Sequence, residues 1–158
     1  MSELAGAGAG SPEADDRVIH AVMRGVVGAM AMTGMRSLTV SLGLVKETPP
    51  RAIVRQTSKG LFRVVPKGLR RAAIELMHWG YGAAGGAAFA LLPEDVRRKR
   101  GAGPVYGVVL WLGFELVQAP LMGLKQAKEL RPVERAALAV DHLLYGLVLA
   151  ETRRRPRK

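Results

Sequence analysis

The stretch LMHWGYGAAGGAAFALLP, residues 76–93, decides the fold of this chain. None of its side chains is ionised at neutral pH, and it has no polar face of the width that a surface helix needs. Taken as residues 72–92, the segment has the ~20 residues that a helix needs to cross the hydrocarbon core of a bilayer. It therefore predicts a transmembrane helix, and the alternative is a buried helix of an unusually apolar soluble bundle.

Three further apolar segments accompany it, at residues 18–45, 104–124 and about 133–151. Between Gly25 and Val45 the first segment has one charged residue, and 104–124 also has one. The last segment is the weakest, because it is short and contains a carboxylate. Together the four segments predict an all-α integral membrane four-helix bundle within residues 18–152.

The remaining parts of the chain are polar or rich in small residues. Residues 1–17 are rich in glycine and alanine and are expected to be a disordered tail, and residues 153–158 form a basic tail. The connector 46–71 has basic residues at intervals of four, which predicts short in-plane helical pieces bound to anionic lipid headgroups, or alternatively a solvated basic loop. These basic residues are Arg51, Arg55, Lys59, Arg63 and Lys67.

Charge and composition limit the classes of partner that the chain is expected to bind. The formal net charge is +11, and the basic residues lie mainly between and after the apolar segments, where they would contact lipid phosphates. With few aromatic residues and no nucleic-acid motif, we expect a bilayer with anionic headgroups and no nucleic acid as the partner. Basic residues flank both ends of the predicted helices almost equally, so the positive-inside rule does not choose an orientation. The chain has no cysteine, which excludes disulfides and thiolate metal sites.

A five-residue pattern, H-x-x-Y-G, occurs at residues 78–82 and again at 142–146. On a helix its three defined side chains share one face, since they stand at i, i+3 and i+4. The segments that precede the two copies also end alike, in LGL at 42–44 and MGL at 122–124. We therefore predict two repeated helical hairpins. The repeat residues are His78, Tyr81, Gly82, His142, Tyr145 and Gly146.

The same pattern resembles a known family. The stretch from Gly107 to Glu151, with ELVQAPLMGL at 115–124, then Glu134, and DHLLYG at 141–146, looks like the C-terminal half of the YagU-like small bacterial inner-membrane proteins. The motif at 78–82 fits the middle helix of that family. The resemblance implies a multi-pass protein of the inner membrane, and it implies no particular activity.

Ionisable residues inside the apolar segments are candidate functional groups, because they are costly at membrane depth. Counted from the helix ends, five such side chains fall in one layer near one membrane face. Arg36 is too deep to reach the interface fully, so it should have an internal partner, with Glu115 the first choice and Asp141 the second. The members of this predicted polar layer are Arg36, His78, Glu115, Asp141 and His142.

Three interpretations of the polar layer remain open. The first is a structural ion pair with hydrogen-bonded histidines, the second is a proton or ion pathway, and the third is a metal site. The spacing of Glu75 and His78 suits a di-iron bundle, but Ala139 stands where the second helix would need a carboxylate, so no metal is expected.

Enzyme signatures are absent from the sequence, and we expect neither catalytic residues nor a cofactor. The leading hypothesis is a structural or accessory membrane protein, as a homo-oligomer or part of a larger membrane complex. The alternative is a small proton or ion conductor, or a transporter, acting as a homo-oligomer.

Overall fold

The computed structural model describes residues 12–44, 65–123 and 130–150, and these ranges contain helices and turns but no strand. The all-α prediction is therefore confirmed. A short 3-10 helix at Lys67–Leu69 precedes α2. The α-helices, in chain order, are α1 (Pro12–Ser41), α2 (Arg70–Leu91), α3 (Glu94–Arg97), α4 (Ala102–Leu121) and α5 (Pro132–Ala150).

Helix α1 begins earlier than the sequence predicts. Residues 12–17 are helical, although they were expected to belong to a disordered tail. Proline is favourable at the first helical position, and Asp15 and Asp16 interact favourably with the positive end of the helix dipole. These acidic residues, which precede the first apolar segment, thus favour the start of a helix. Residues 1–11 and the predicted basic tail at 153–158 lie outside the described residues.

Most of the basic connector is also outside the described residues. Arg51, Arg55, Lys59 and Arg63 fall in the stretch 45–64, which the structure does not describe. Lys67 is described, and it is exposed in the 3-10 helix directly before α2. Its position next to a helix end agrees with a headgroup contact, which stays a prediction.

The turns between helices follow from local sequence. Leu92 is extended, with φ −61° and ψ 147°, as is usual for a residue before proline, and this ends α2. Gly101 separates α3 from α4 with φ +84°, a left-handed conformation that glycine adopts without strain. At the start of α5, Arg131 donates from Nη2 to the Leu44 carbonyl at 3.0 Å, which links that helix to the end of α1.

The four long helices pack as two antiparallel hairpins. Helix α1 lies against α2, and α4 lies against α5. The hairpins meet mainly along α1 and α5, whereas α2 and α4 are joined chiefly by side chains. This leaves a space between α2 and α4 that opens onto the centre of the bundle.

Each hairpin has one very close helix crossing at a glycine of the H-x-x-Y-G pattern. A Cβ atom added to Gly25 of α1 would lie 2.1 Å from the carbonyl oxygen of Gly82. In the second hairpin, a Cβ atom added to Gly146 would lie 2.1 Å from the carbonyl oxygen of Gly103. The two copies of the pattern therefore make the same kind of backbone contact, each within its own hairpin.

Many large apolar side chains are exposed on the outside of the bundle, and most of the buried glycines and alanines lie where the helices meet. The inner side of α1 carries Gly25, Gly28, Ala29, Met32 and Arg36, all buried. The central apolar cluster is small, comprising Met32, Phe89, Tyr145 and Leu149. The outer sides of α1 and α4 are apolar and exposed, at Ile19, Met23, Val27, Met30, Val105, Val109, Leu112 and Leu116.

Two helices in the described ranges, α1 over Ala14–Ser41 and α4 over Ala102–Leu121, are long and apolar enough to cross a membrane. Such helices also occur as signal sequences or in soluble cores, so this result is weak support for a membrane location. Helices α2 and α5 are not among these candidate spans, since α2 is rich in glycine and contains Glu75 and His78, and α5 contains the charged residues Glu134, Arg135 and Asp141.

Candidate functional site: a cavity with polar residues between the four long helices

A cavity of about 240 Å³ lies at the centre of the bundle, and all four long helices line it. Most of its walls are apolar. The polar residues of the predicted layer that line it are Arg36 from α1, His78 from α2, and Asp141 and His142 from α5. Four of the five predicted side chains therefore converge on one space, and Glu115 is not among its lining residues.

Arg36 is paired within the first hairpin. Its Nη2 atom donates to Thr33 Oγ1 at 3.0 Å and lies 3.8 Å from Glu75 Oε2 of α2. Thr33 Oγ1 lies 2.9 Å from the same carboxylate oxygen. Thr33 Oγ1 also accepts a hydrogen bond from Trp79 Nε1 at 3.3 Å. Arg36 is only 6% exposed. The Glu75 carboxylate of the neighbouring helix compensates the charge of this buried guanidinium.

The predicted pair of Arg36 with Glu115 is wrong. Glu115 accepts from Arg135 Nε of α5 at 2.9 Å, within the second hairpin. Counting residues from the helix ends gives the depth of a side chain, but it does not give the direction in which the side chain points. Asp141, the second choice, does line the same cavity as Arg36 and interacts with it electrostatically.

Tyr145 connects the second hairpin to the first. Its ring lies against Gly28 of α1, where an added Cβ would come within 2.8 Å of the ring, and its hydroxyl lies beside Gly85 of α2. The hydroxyl donates to the carbonyl oxygen of Gly82 at 2.5 Å. The two glycines form a notch that admits the tyrosine ring, so the second copy of H-x-x-Y-G docks onto the first hairpin.

Two other tyrosines bridge α2 and α4. Tyr106 donates from its hydroxyl to the Gly85 carbonyl at 2.8 Å, and its ring packs against Phe89 with centroids 5.1 Å apart. Tyr81 is hydrogen-bonded to Gln118, with its oxygen 2.8 Å from Nε2 and 3.1 Å from Oε1. Tyr81 and Gln118 both line the cavity. This bridge therefore lies across the space between α2 and α4.

Helix α4 widens into a π-helical turn at Phe114–Gln118, where Ala119 donates to the Phe114 carbonyl. Pro120 follows directly and has no backbone N–H, and its ring would crowd the Leu116 carbonyl in a regular α-helix. The wider turn relieves this crowding. Single π turns inside helices are frequent at functional sites, and this one brings Phe114 and Gln118 to the cavity wall.

Two polar atoms of the cavity residues lack a hydrogen-bond partner among the described residues. They are Asp141 Oδ1 and His78 Nε2. His142 is different, since its Nδ1 lies 2.8 Å from the Leu138 carbonyl, which can only accept. Asp141 is 2% exposed, so its oxygen lies in the protein interior. Buried polar atoms are usually paired, and unpaired ones call for an explanation.

Several polar members of the site were not predicted from the sequence. Thr33 and Arg36 stand three residues apart, so their shared face could have been recognised. Glu75 was considered only as a metal ligand. In the described part of the chain, no three His, Asp or Glu side chains are placed to hold a metal ion.

Comparisons with protein-family models, with curated proteins and with solved structures find no match to this chain. Membership of the YagU-like family therefore stays a prediction from the short motifs at 78–82 and 141–146.

Proposed function

We propose that the chain is a multi-pass protein of the bacterial inner membrane, with α1, α2, α4 and α5 as its four spans. It has a structural or accessory role and performs no catalysis. The observation that carries the proposal is the distribution of side chains, because many large apolar residues are exposed while the charged Arg36, Glu134 and Asp141 are buried. In a soluble bundle, exposing so much apolar surface to water would be unfavourable.

Helices α2 and α5, which are not candidate spans by composition, have lengths that suit this arrangement. Helix α2 has 22 residues and α5 has 19. At ~1.5 Å per residue their lengths are about 33 and 28 Å, close to the ~30 Å hydrocarbon thickness. Small and polar residues such as Gly82 of α2 and Asp141 of α5 are buried, whereas Leu91 of α2 and Leu147 of α5 are exposed.

The polar cluster of Arg36, Thr33, Glu75 and Trp79 would hold α1 and α2 in register. In lipid the hydrophobic effect does not drive helices together, so close backbone contact and polar side chains take its place. The glycine crossing supplies the first and the cluster the second. This pairing accounts for a buried arginine without requiring any chemistry from it.

Single-cysteine labelling tests the four-span topology. The chain has no native cysteine, so each introduced thiol reports alone. Lys67→Cys stands before α2 and Arg100→Cys after it, and both positions are exposed. In sealed, oriented membrane vesicles, a membrane-impermeant maleimide should label one of them from outside and the other only after the vesicles are opened.

A third variant distinguishes a membrane bundle from a soluble one. Leu147 is 52% exposed in the middle of α5, so Leu147→Cys should stay unlabelled in intact membranes and become reactive after denaturation in detergent. Unmodified protein is the control for non-specific labelling. Labelling of positions 67 and 100 from the same side, or ready labelling of position 147 in membranes, would contradict the proposal.

A second candidate, a proton or ion conductor acting as a homo-oligomer, is favoured by the unpartnered atoms of His78 and Asp141 at the cavity. Titratable side chains in a membrane interior are common in proton pathways. Reconstituted protein should then carry a pH-driven flux that Asp141→Asn abolishes while the protein stays folded. A flux equal to that of empty liposomes would leave the structural role.

A further inference from the structure

We propose that the central cavity is a binding site for a small amphiphile with a protonated amine head and an apolar, ring-sized body. This binding function goes beyond the structural role proposed above. It rests on the acceptor atoms of two residues that line the cavity, on the balance of charge around it, and on its size.

The cavity offers hydrogen-bond acceptors. Asp141 Oδ1 is buried and has no partner among the described residues. His142 Nδ1 faces the Leu138 carbonyl at 2.8 Å and must donate to it, which makes Nε2 an acceptor in the neutral ring. Both residues line the cavity. A ligand that satisfies these atoms must supply donors, and an ammonium group supplies three.

The charges around the cavity favour a cation over an anion. The Arg36 guanidinium is 3.8 Å from the Glu75 carboxylate and bonded to Thr33, so its charge is already compensated. The carboxylate of Asp141 interacts with the same guanidinium, so two carboxylates share one cation and the three side chains carry one negative charge in excess. A buried charge is stable only with a partner, and a bound ammonium group would provide one.

The apolar walls determine the rest of the ligand. Met32, Leu110, Phe114 and Leu138 line the cavity, which measures about 240 Å³. An apolar protein cavity of ~150 Å³ can hold a benzene molecule, so this space suits a six-membered ring with a short alkylamine chain. The ligand can enter between α2 and α4, where side chains rather than closely packed backbones join the helices.

Binding of 2-phenylethylamine to the purified full-length protein in neutral detergent tests the proposal. Its neutral analogue 2-phenylethanol and the anion 3-phenylpropionate have the same ring and similar length. We expect saturable binding of the amine in calorimetry, at least tenfold tighter than binding of the alcohol, and no binding of the carboxylate. Tighter binding of the carboxylate, or no saturable binding of the amine, would overturn the proposal.

Variants locate the site. Asp141→Asn should weaken amine binding at least tenfold and leave alcohol binding unchanged, while Glu94→Gln makes the same change at an exposed carboxylate and should have no effect. Unchanged amine binding in folded Asp141→Asn overturns the proposal. If Asp141→Asn does not fold, Leu110→Trp is used instead to fill the cavity. Amine binding that persists in the Leu110→Trp variant would also overturn the proposal. Binding in detergent does not depend on membrane topology. The amine can therefore fail to bind while the four-span proposal stands, and the four-span proposal can fail while the amine binds.

Discussion

Tyr145 is the residue through which the second hairpin is attached to the first. Its hydroxyl donates to the Gly82 carbonyl, and its ring fills the notch at Gly28 and Gly85. Tyr145→Phe keeps the ring and removes the hydrogen bond, so we expect a loss of about 0.5–1.5 kcal/mol in the free energy of unfolding. Unfolding in a mixed-detergent titration would measure it.

The matched control is Tyr81→Phe, the same change in the first copy of the pattern. Tyr81 is 49% exposed and bonded to a side chain rather than to the backbone, so its loss should be clearly smaller. An equal loss in both variants would mean that Tyr145 has no special role in joining the hairpins.

Gly25 permits the closest contact between α1 and α2, since an added Cβ would lie 2.1 Å from the Gly82 carbonyl oxygen. The neighbouring atoms are backbone and cannot move independently. Gly25→Ala should therefore force the helices apart and cost about 1–3 kcal/mol in the free energy of unfolding, measured by the same titration.

Gly34 provides the control on the same helix, because nothing lies within 4 Å of the position its Cβ would take. Gly34→Ala should be neutral or slightly stabilising, as alanine favours the helix over glycine. If the two alanine variants are equally stable, the close crossing does not exist.

Residue identity gave a good account of which side chains are buried and a poor account of how they pair. Sequence spacing brought Arg36, His78, Asp141 and His142 to one depth, and all four line one cavity. The partner of Arg36 could not be obtained in this way, because a depth leaves the rotation of each helix undefined. Glu75 was considered only as a metal ligand, because its spacing to His78 suits a di-iron bundle.

At the scale of elements, the pair of α1 and α2 combines a backbone crossing with the ion pair of Arg36 and Glu75. Arg36→Met alone should be strongly destabilising, because it leaves the Glu75 carboxylate, 25% exposed, without its cation. The double variant Arg36→Met/Glu75→Gln should recover part of that loss. A coupling energy of about 1–3 kcal/mol in a double-mutant cycle is expected.

The exposed pair of Arg98 and Glu94 in α3 serves as the reference cycle. Its side chains are 69% and 61% exposed, so solvent screens the attraction and the coupling should be close to zero. Equal coupling in the two cycles would show that burial does not strengthen the inner pair.

The helix bounds followed from the sequence to within a few residues, except at the start of α1. For example, α2 was expected at 72–92 and is Arg70–Leu91. Proline and glycine lie at or near these helix ends, and their local effects on the backbone can be predicted from the sequence. The π turn at Phe114–Gln118 was not predicted, because Pro120 disrupts the helical bonds and does not specify how the backbone adjusts.

At the scale of the whole molecule, the net charge of +11 predicts binding of anionic lipid through the basic connector. Replacing Arg51, Arg55, Lys59, Arg63 and Lys67 with glutamine should reduce the anionic phospholipid that copurifies, measured by native mass spectrometry. Each basic residue near the headgroups contributes about 1 kcal/mol, so the five together contribute about 5 kcal/mol and most of the bound anionic lipid should be lost.

The basic tail supplies a control with an equal number of charges. Glutamine at Arg153, Arg154, Arg155, Arg157 and Lys158 lowers the net charge by the same amount. The prediction requires that the connector variant lose more lipid than the tail variant. Equal losses would show that total charge, rather than the connector, attracts the lipid.

The two copies of H-x-x-Y-G each place a glycine, Gly82 or Gly146, at the closest contact of two helices. The repeat could not reveal how the hairpins differ. Tyr145 turns inward to the other hairpin, whereas Tyr81 faces Gln118 at the mouth of the cavity. Two copies with the same local sequence acquire different roles because their neighbours in the bundle differ.

The glycine crossings also limit how this molecule can move. Backbone atoms already touch at Gly25 with Gly82 and at Gly103 with Gly146, so neither hairpin can be compressed or sheared at its crossing without steric overlap. Each hairpin therefore behaves as a stiff unit. We therefore expect a change in the volume of the cavity to move one unit against the other, which would alter the contacts of Tyr145 and the bridge between Tyr81 and Gln118.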